Sequence, residues 1–337
     1  MRWYFLIPFI LLWGSCTQEE GYSRAEFLDE RTADIHVIGS PMLVGVPVDL
    51  CYQGNYLFVL AYSQRYWLHI YEKESGRLVS ENLLIGRGPG EGLNFVSMDY
   101  RKDEQNLYVY DQMLRKTVVY NLDGEKGSAM FVKEIEHPSE GVIRKCYALA
   151  DGNYLYEGYL QEGDINTRLT LSDGTSSLDT YAEYPGINND DDKFAFILGV
   201  SKSDPDRGRY VCGTLYGAVL ECFDITESAI KSHSVRLIEP PEMDMSDGYI
   251  KAKPGVKFGF TTFCFDGDLI YANYMDTADA YDFKTIVTFD WKGHERIKYT
   301  AKQNILRLCS GEKTGKELYC IVSSPESEFS LAKLTLK

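Results

Sequence analysis

The sequence predicts an all-β fold, a six-bladed β-propeller closed by an N-terminal strand that joins the last blade. Three observations carry this reading. A polar turn returns six times, at Gln53-Gly54-Asn55, Glu104-Gln105-Asn106, Asp151-Gly152-Asn153, Asp206-Arg207-Gly208, Asp266-Gly267-Asp268 and Gly315-Lys316-Glu317. The spacing is roughly 50 residues, about 60 between the fourth and fifth copies, which is in the range of propeller blades. Each turn follows a short apolar stretch and precedes an aromatic or β-branched one, the composition of strands. The two ends of the chain also balance. The sixth repeat is one strand short, and Ile35-His36-Val37-Ile38 is one strand to spare. An unpaired edge invites association with other chains, so the spare strand is expected to complete the last blade. A pair of β-sandwiches is the competing arrangement.

Four antiparallel strands per blade, innermost first, are expected at residues 47–52, 56–61, 67–72 and 78–84 in the first blade. The second uses 95–99, 106–110, 117–121 and 129–135, and the third 143–149, 154–158, 168–171 and 179–184. The fourth uses 194–200, 209–213, 219–224 and 231–237, and the fifth 258–265, 269–273, 285–290 and 296–300. The sixth keeps 305–309, 317–322 and 330–336. Third strands end in hairpin signals such as Asp123-Gly124 and Asp173-Gly174.

The N-terminus reads as an export signal. Arg2 precedes an apolar run from Trp3 to Trp13, about 11 residues, too short to span a bilayer and right for a signal peptide. Gly14-Ser15-Cys16 resembles a bacterial lipobox, although the usual aliphatic residue three before the cysteine is here Trp13, with Leu12 next to it. The expected division is residues 1–15 as signal peptide, 16–33 as a lipidated N-terminus and flexible tether, and 34–337 as the propeller. Cys16 would carry the lipid, whose acyl chains contribute about 0.8 kcal/mol per buried methylene. Thr17-Gln18-Glu19-Glu20 has no aspartate beside the cysteine. That points to the outer membrane, periplasmic or surface-facing.

Composition bounds the partners. The 337 residues carry a net charge of −15, 44% hydrophobic and 13% aromatic content, enough for a large core. The acidic balance argues against nucleic acid, which needs clustered Lys and Arg. Without Cys16, seven of the 8 cysteines remain, an odd number that cannot pair completely. Cys51, Cys146, Cys264 and Cys309 each close an apolar stretch before a repeat turn. They read as small buried apolar residues, since equivalent positions in different blades lie too far apart to bridge. Cys212 and Cys222 are the one pair that neighbouring strands could place face to face.

The segment Gly86-Arg87-Gly88-Pro89-Gly90-Glu91-Gly92, between the first and second blades, resembles the Gly-x-Gly-Pro-Gly-Glu signature of the TolB-like six-bladed β-propeller lipoproteins. The lipobox and the blade count extend the resemblance over the chain. It implies a secreted, membrane-anchored propeller from a family mostly without assigned activity. Residue by residue, the segment lacks the Lys-Ser/Thr of a P-loop and no helix follows, so it does not read as a phosphate cradle. It reads as a tight loop in which glycines take positive φ.

Catalytic signals are absent. The five histidines have no second His or Cys at metal-ligand spacing, and no Gly-x-Ser-x-Gly elbow occurs. No catalytic residue, metal or cofactor is assigned. Asn188-Asn189-Asp190-Asp191-Asp192 is rich in oxygen ligands but fits no EF-hand spacing, so it reads as a solvated loop. In a propeller, the blade-to-blade loops share a face with the loops between second and third strands. Long loops on a rigid scaffold are where binding resides. The two longest excursions, residues 238–257 and 274–284, fall on that face. Its central mouth is the expected ligand site, with Arg65, Arg87, Glu91, Arg115, Tyr216, Tyr274 and Asp276 as candidate contacts. The leading reading is a membrane-anchored, non-enzymatic binding module for a protein, peptide or glycan. A hydrolase or lyase acting on a polysaccharide or peptide in the central channel is the alternative, and converging carboxylates there would favour it.

Overall fold

The computed structural model describes residues 21–160, 166–246, 248–311, 317–324 and 328–337. The expected signal peptide, Cys16 and the Gly315-Lys316 turn lie outside the described residues.

The chain is all-β and propeller-like. Four antiparallel sheets of four strands follow one another. The first holds β2 (Pro47–Gln53), β3 (Tyr56–Ala61), β4 (Tyr66–Glu72) and β5 (Leu78–Leu84). The second holds β6 (Phe95–Arg101), β7 (Asn106–Asp111), β8 (Lys116–Asp123) and β9 (Ser128–Glu136). The third holds β10 (Val142–Ala148), β11 (Tyr154–Tyr159), β12 (Leu169–Ser172) and β13 (Ser177–Tyr181). After α1 (Lys193–Ile197), the fourth holds β14 (Val200–Asp204), β15 (Arg209–Gly213), β16 (Ala218–Ile225) and β17 (Ile230–Glu239). A small ribbon of β18 (Met243–Asp244) and β19 (Lys251–Ala252) follows.

The remaining strands form one eight-stranded sheet. One half is β20 (Phe258–Asp266), β21 (Leu269–Thr277), β22 (Thr285–Asp290) and β23 (Glu295–Thr300). The other is β24 (Asn304–Ser310), β25 (Leu318–Ser323) and β26 (Phe329–Leu336). The N-terminal strand β1 (Asp29–Met42) joins the halves. Its first residues run parallel to β23, with Asp29 opposite Ile297 and Thr32 opposite Thr300. It then runs antiparallel to β26, with Ala33 opposite Leu336 and His36 opposite Lys333. The spare strand therefore does meet the last one.

Residues 21–33, expected to belong to a flexible tether, are not free of the body. From residue 21 the chain is laid against the body. Tyr22 Oη donates to the Gly186 carbonyl at 2.7 Å, Ser23 N–H to Leu237 at 3.0 Å and Leu28 N–H to Arg296 at 3.0 Å. The Phe27 ring meets Phe289 edge-on. Polar composition alone hid these anchors, which rest on two aromatic side chains. The innermost strand of the fourth repeat is also displaced. Residues 194–200 were expected to form it, but Lys193–Ile197 is helical and the strand is β14. Asn189 caps the turn before it, its side chain accepting from Asp192 N–H at 3.2 Å, and such a start favours helix over strand.

Packing between sheets supplies the core. Phe58, Leu60 and Leu68 of the first sheet meet Phe95, Met98 and Val109 of the second. Tyr147 and Leu155 of the third meet Tyr210 and Phe223 of the fourth. Leu50, Leu57 and Val59 of the first sheet pack against Tyr319, Ile321 and Leu331 at the end of the chain. Burial of each such side chain contributes about 1.5–3 kcal/mol. Pairing and packing thus tie the first sheet to the last.

The seven cysteines among the described residues are free. Cys212 lies opposite Glu221 and Cys222 opposite Val211. With a side-chain period of two, the two thiols point to opposite faces of their sheet, so they cannot bridge. Burial pushes the Cys51, Cys146, Cys264 and Cys309 thiols well up, which keeps them as inert small side chains.

Candidate functional site

Residues of β2, β6, β10, β14, β20 and β24 come together around a shared channel, and polar groups stand in its wall. Ser97 Oγ donates to the Cys146 carbonyl at 2.9 Å. Lys145 Nζ meets Ser201 Oγ at 2.8 Å and Glu157 at 3.4 Å. Ser203 Oγ donates to Asp99 Oδ1 at 2.5 Å. Arg307 Nε donates to the Val48 carbonyl at 2.6 Å. Lys202 reaches across from the fourth sheet to Asp49 of the first, Nζ to Oδ2 at 2.5 Å.

That crossing divides the channel. Lys202 and its neighbours line two cavities. One, of about 510 Å³, opens between the turns that follow the innermost strands, and its wall includes Asp99, Lys202, Asp206 and Arg207. The other, of about 550 Å³, opens on the blade-to-blade face, and its wall includes Asp49, Lys145, Lys202 and Arg307 with Tyr62, Trp67, Phe95 and Phe263. Both volumes suit a small ligand. Three rings of the second cavity form a row, Tyr62 against Trp67 at 5.3 Å and Trp67 against Phe95 at 5.6 Å. Val46 and Tyr62 at its rim are 70% and 50% exposed.

Each carboxylate here has a defined partner. Burial raises the Asp99 carboxyl to about 7, with Lys202 and Ser203 pulling against it. Burial also pushes Glu157 up, but Lys145 and Arg144 outweigh it and hold it below the usual range. Burial lowers Lys202, and Asp49 and Asp99 reverse this to a net rise. Arg307 is lowered by burial, opposed only by the charge on Asp49. Among the described residues no cluster of three His, Cys, Asp or Glu side chains suits a metal ion.

The residues expected at the mouth do not line either cavity. Arg65 and Arg87 are exposed on loops of the blade-to-blade face, and Arg65 lies over the Tyr66 ring. Glu91 faces inward, its Oε2 accepting from Gly88 N–H at 2.7 Å. A Cβ at Gly86 or Gly88 would overlap that carboxylate and displace it from Gly88 N–H. Gly90 N–H donates to Glu134 at 2.7 Å and its carbonyl accepts from Tyr120 at 3.0 Å. Arg115 clamps the loop before β10 through the carbonyls of Pro138, Ser139, Glu140 and Gly141. Tyr216 packs on Phe258. Tyr274 is 3% exposed, its ring packed within the core. Asp276 pairs with Lys257 at 2.7 Å. The acidic run is equally structural. Asp192 accepts from Met243 N–H at 2.9 Å and Asp191 from Met245 N–H at 3.3 Å, tying the long excursion down.

Residues 26–313 match the family of TolB-like 6-blade propeller-like proteins. The chain belongs to this family. No curated protein matches it. Among solved structures, this TolB-like chain is similar to a protein described as exported from Bacteroides fragilis, at 14% identity and a TM-score of 0.57, covering 94% of this chain and 99% of that one. It is also similar to a member of the DUF4221 family from Bacteroides vulgatus, at 11% identity and a TM-score of 0.54, covering 95% and 99%. At these identities the likeness shows the fold.

The TolB-like channel holds polar residues that sequence reading missed. Asp49, Asp99, Lys145, Lys202 and Arg307 each interrupt an innermost strand. Asp49 and Arg307 stand two residues before Cys51 and Cys309. A charge inside an apolar strand that neighbours bury on both sides was the available signal.

Proposed function

We propose that this chain is an exported lipoprotein, held at the outer membrane by lipid on Cys16, whose six-bladed ring is closed by β1 and binds a ligand without breaking a bond. The blade-to-blade cavity carries the reading. It combines an aromatic row, an exposed apolar rim and three cationic side chains on a rigid wall, the composition expected of a binding pocket. The export signal, the family and the exported structural relative support the location. Among the described residues no helix is long and apolar enough to cross a membrane, so a lipid would be the anchor. Asp49 and Glu157 are paired with lysines, which favours binding over hydrolysis at those two carboxylates.

Two experiments test this. Radiolabelled palmitate should enter the wild-type chain and not Cys16→Ser. Glycan and peptide arrays should show ligands that the wild type retains and Val46→Trp, which fills the mouth, does not. Ligands retained equally by both would place binding elsewhere. A retained ligand recovered with altered mass would instead support the hydrolase or lyase.

A further inference from the structure

We infer that the blade-to-blade cavity takes an acidic sugar, with its carboxylate on Arg307 and its ring against the aromatic row. This rests on the binding reading above and adds the ligand's chemistry. The charges in and around the cavity do not cancel. Lys202 is matched by Asp49 at 2.5 Å and Lys145 by Glu157 at 3.4 Å. Arg307 has no carboxylate within ion-pair distance among the described residues. Its Nε and Nη1 donate to the main-chain carbonyls of Val48 and Leu306, at 2.6 and 2.7 Å. A guanidinium withdrawn from water without a counter-ion is costly, and one supplied by a ligand relieves that cost. Its planar fork suits a carboxylate, which can accept two of its N–H groups at once.

Arg307 is a single positive charge with no carboxylate bonded to it, so a monoanion matches it better than a phosphate dianion. The rest of the wall suits a hydroxylated ring. Tyr62, Trp67 and Phe95 offer apolar faces, and Thr261 and Thr262 add hydroxyls. Trp67 Nε1 is buried without an acceptor, and a ring hydroxyl oxygen would supply one. A net charge of −15 on the chain leaves this mouth as a local positive focus, which favours entry of an anionic terminus over adsorption of a long polyanion.

Galacturonate and its methyl ester share a ring and differ by one charge. Titration calorimetry of the full chain should show the acid binding at least about tenfold tighter than the ester, ~1.4 kcal/mol. The preference should vanish in Arg307→Met, while that variant melts no lower than the wild type without ligand. If Arg307→Met does not fold, Arg307→Lys keeps the charge and loses the fork, and should reduce the preference. Equal binding of acid and ester overturns the acidic-sugar inference and leaves the binding reading standing. Binding of neither overturns the inference, and the array result then decides the binding reading separately. Displacement of the acid by inorganic phosphate at equal affinity overturns the choice of a sugar carboxylate.

Discussion

Replacing Asp99 with Asn should change how stability depends on pH. Asp99 is 3% exposed, its Oδ1 accepts from Ser203, and its Oδ2 is buried without a partner. Burial, helped by the charge on Asp49, raises its carboxyl from 3.8 to about 7 in the folded chain. The folded protein then keeps a proton that the unfolded chain gives up from about pH 4. Stability from this group is complete below about pH 4 and is lost as pH climbs toward 7. At ~1.4 kcal/mol for each pH unit in that window, the loss is roughly 4 kcal/mol. Asn cannot titrate. The stability difference between Asp99→Asn and wild type should therefore move by roughly 4 kcal/mol in favour of Asn between pH 4 and pH 7.5. Urea denaturation of both proteins in half-unit steps measures it, with equal slopes expected. His137 acts in the opposite sense. Burial lowers it to about 4, so it withdraws stability as pH falls from 6.5 to 4, but it is common to both proteins and cancels. Parallel curves for the two proteins would refute the account of Asp99.

Other perturbations have equally definite outcomes. Arg168 and Glu221 form a buried pair at 2.5 Å, so Arg168→Met alone should cost about 3–5 kcal/mol and the double change to Met should recover most of it; a loss in the double variant as large as in the single would argue against the pair. In the signature loop, Gly92→Ala drives a Cβ into the Phe95 ring and the Asp111 carboxylate, a cost of about 1–3 kcal/mol in chemical denaturation. Arg115→Ala should speed amide exchange across residues 139–141, in the loop whose carbonyls it holds, with exchange elsewhere unchanged. Thiol labelling of the folded protein should leave Cys146 and Cys320 unmodified until denaturant is added, because both are buried.

Architecture was legible because it rests on local chemistry repeated many times. Turn residues at a fixed period placed β2, β3, β7 and β21 within a residue of their starts, and the count of strands at the ends foretold the His36–Lys333 pairing. The missed innermost strand of the fourth repeat shows the limit. Phe194-Ala195-Phe196 alternates as a strand would, yet Arg168 stacks on Phe196 at 4.5 Å and Tyr184 at 5.0 Å, a contact made across the sequence. The site was less legible for the same reason. Loop length drew attention to Arg115 and Asp276, whose charges are spent on main-chain carbonyls and on Lys257. Lys202 and Asp49 are 153 positions apart, and nothing local announces that they meet.

The partnership of β1 with β26 sets an order on biogenesis. The first described strand waits for the last to be made, since Ala33 pairs with Leu336 and Lys337 N–H bonds to Thr32. A chain folding from its N-terminus therefore keeps an open edge until residues 329–336 are available, exposed to chaperones and proteases. A product cut short before residue 329 would leave most of β1 orphaned, so the clasp acts as a check that only chains carrying β26 pass.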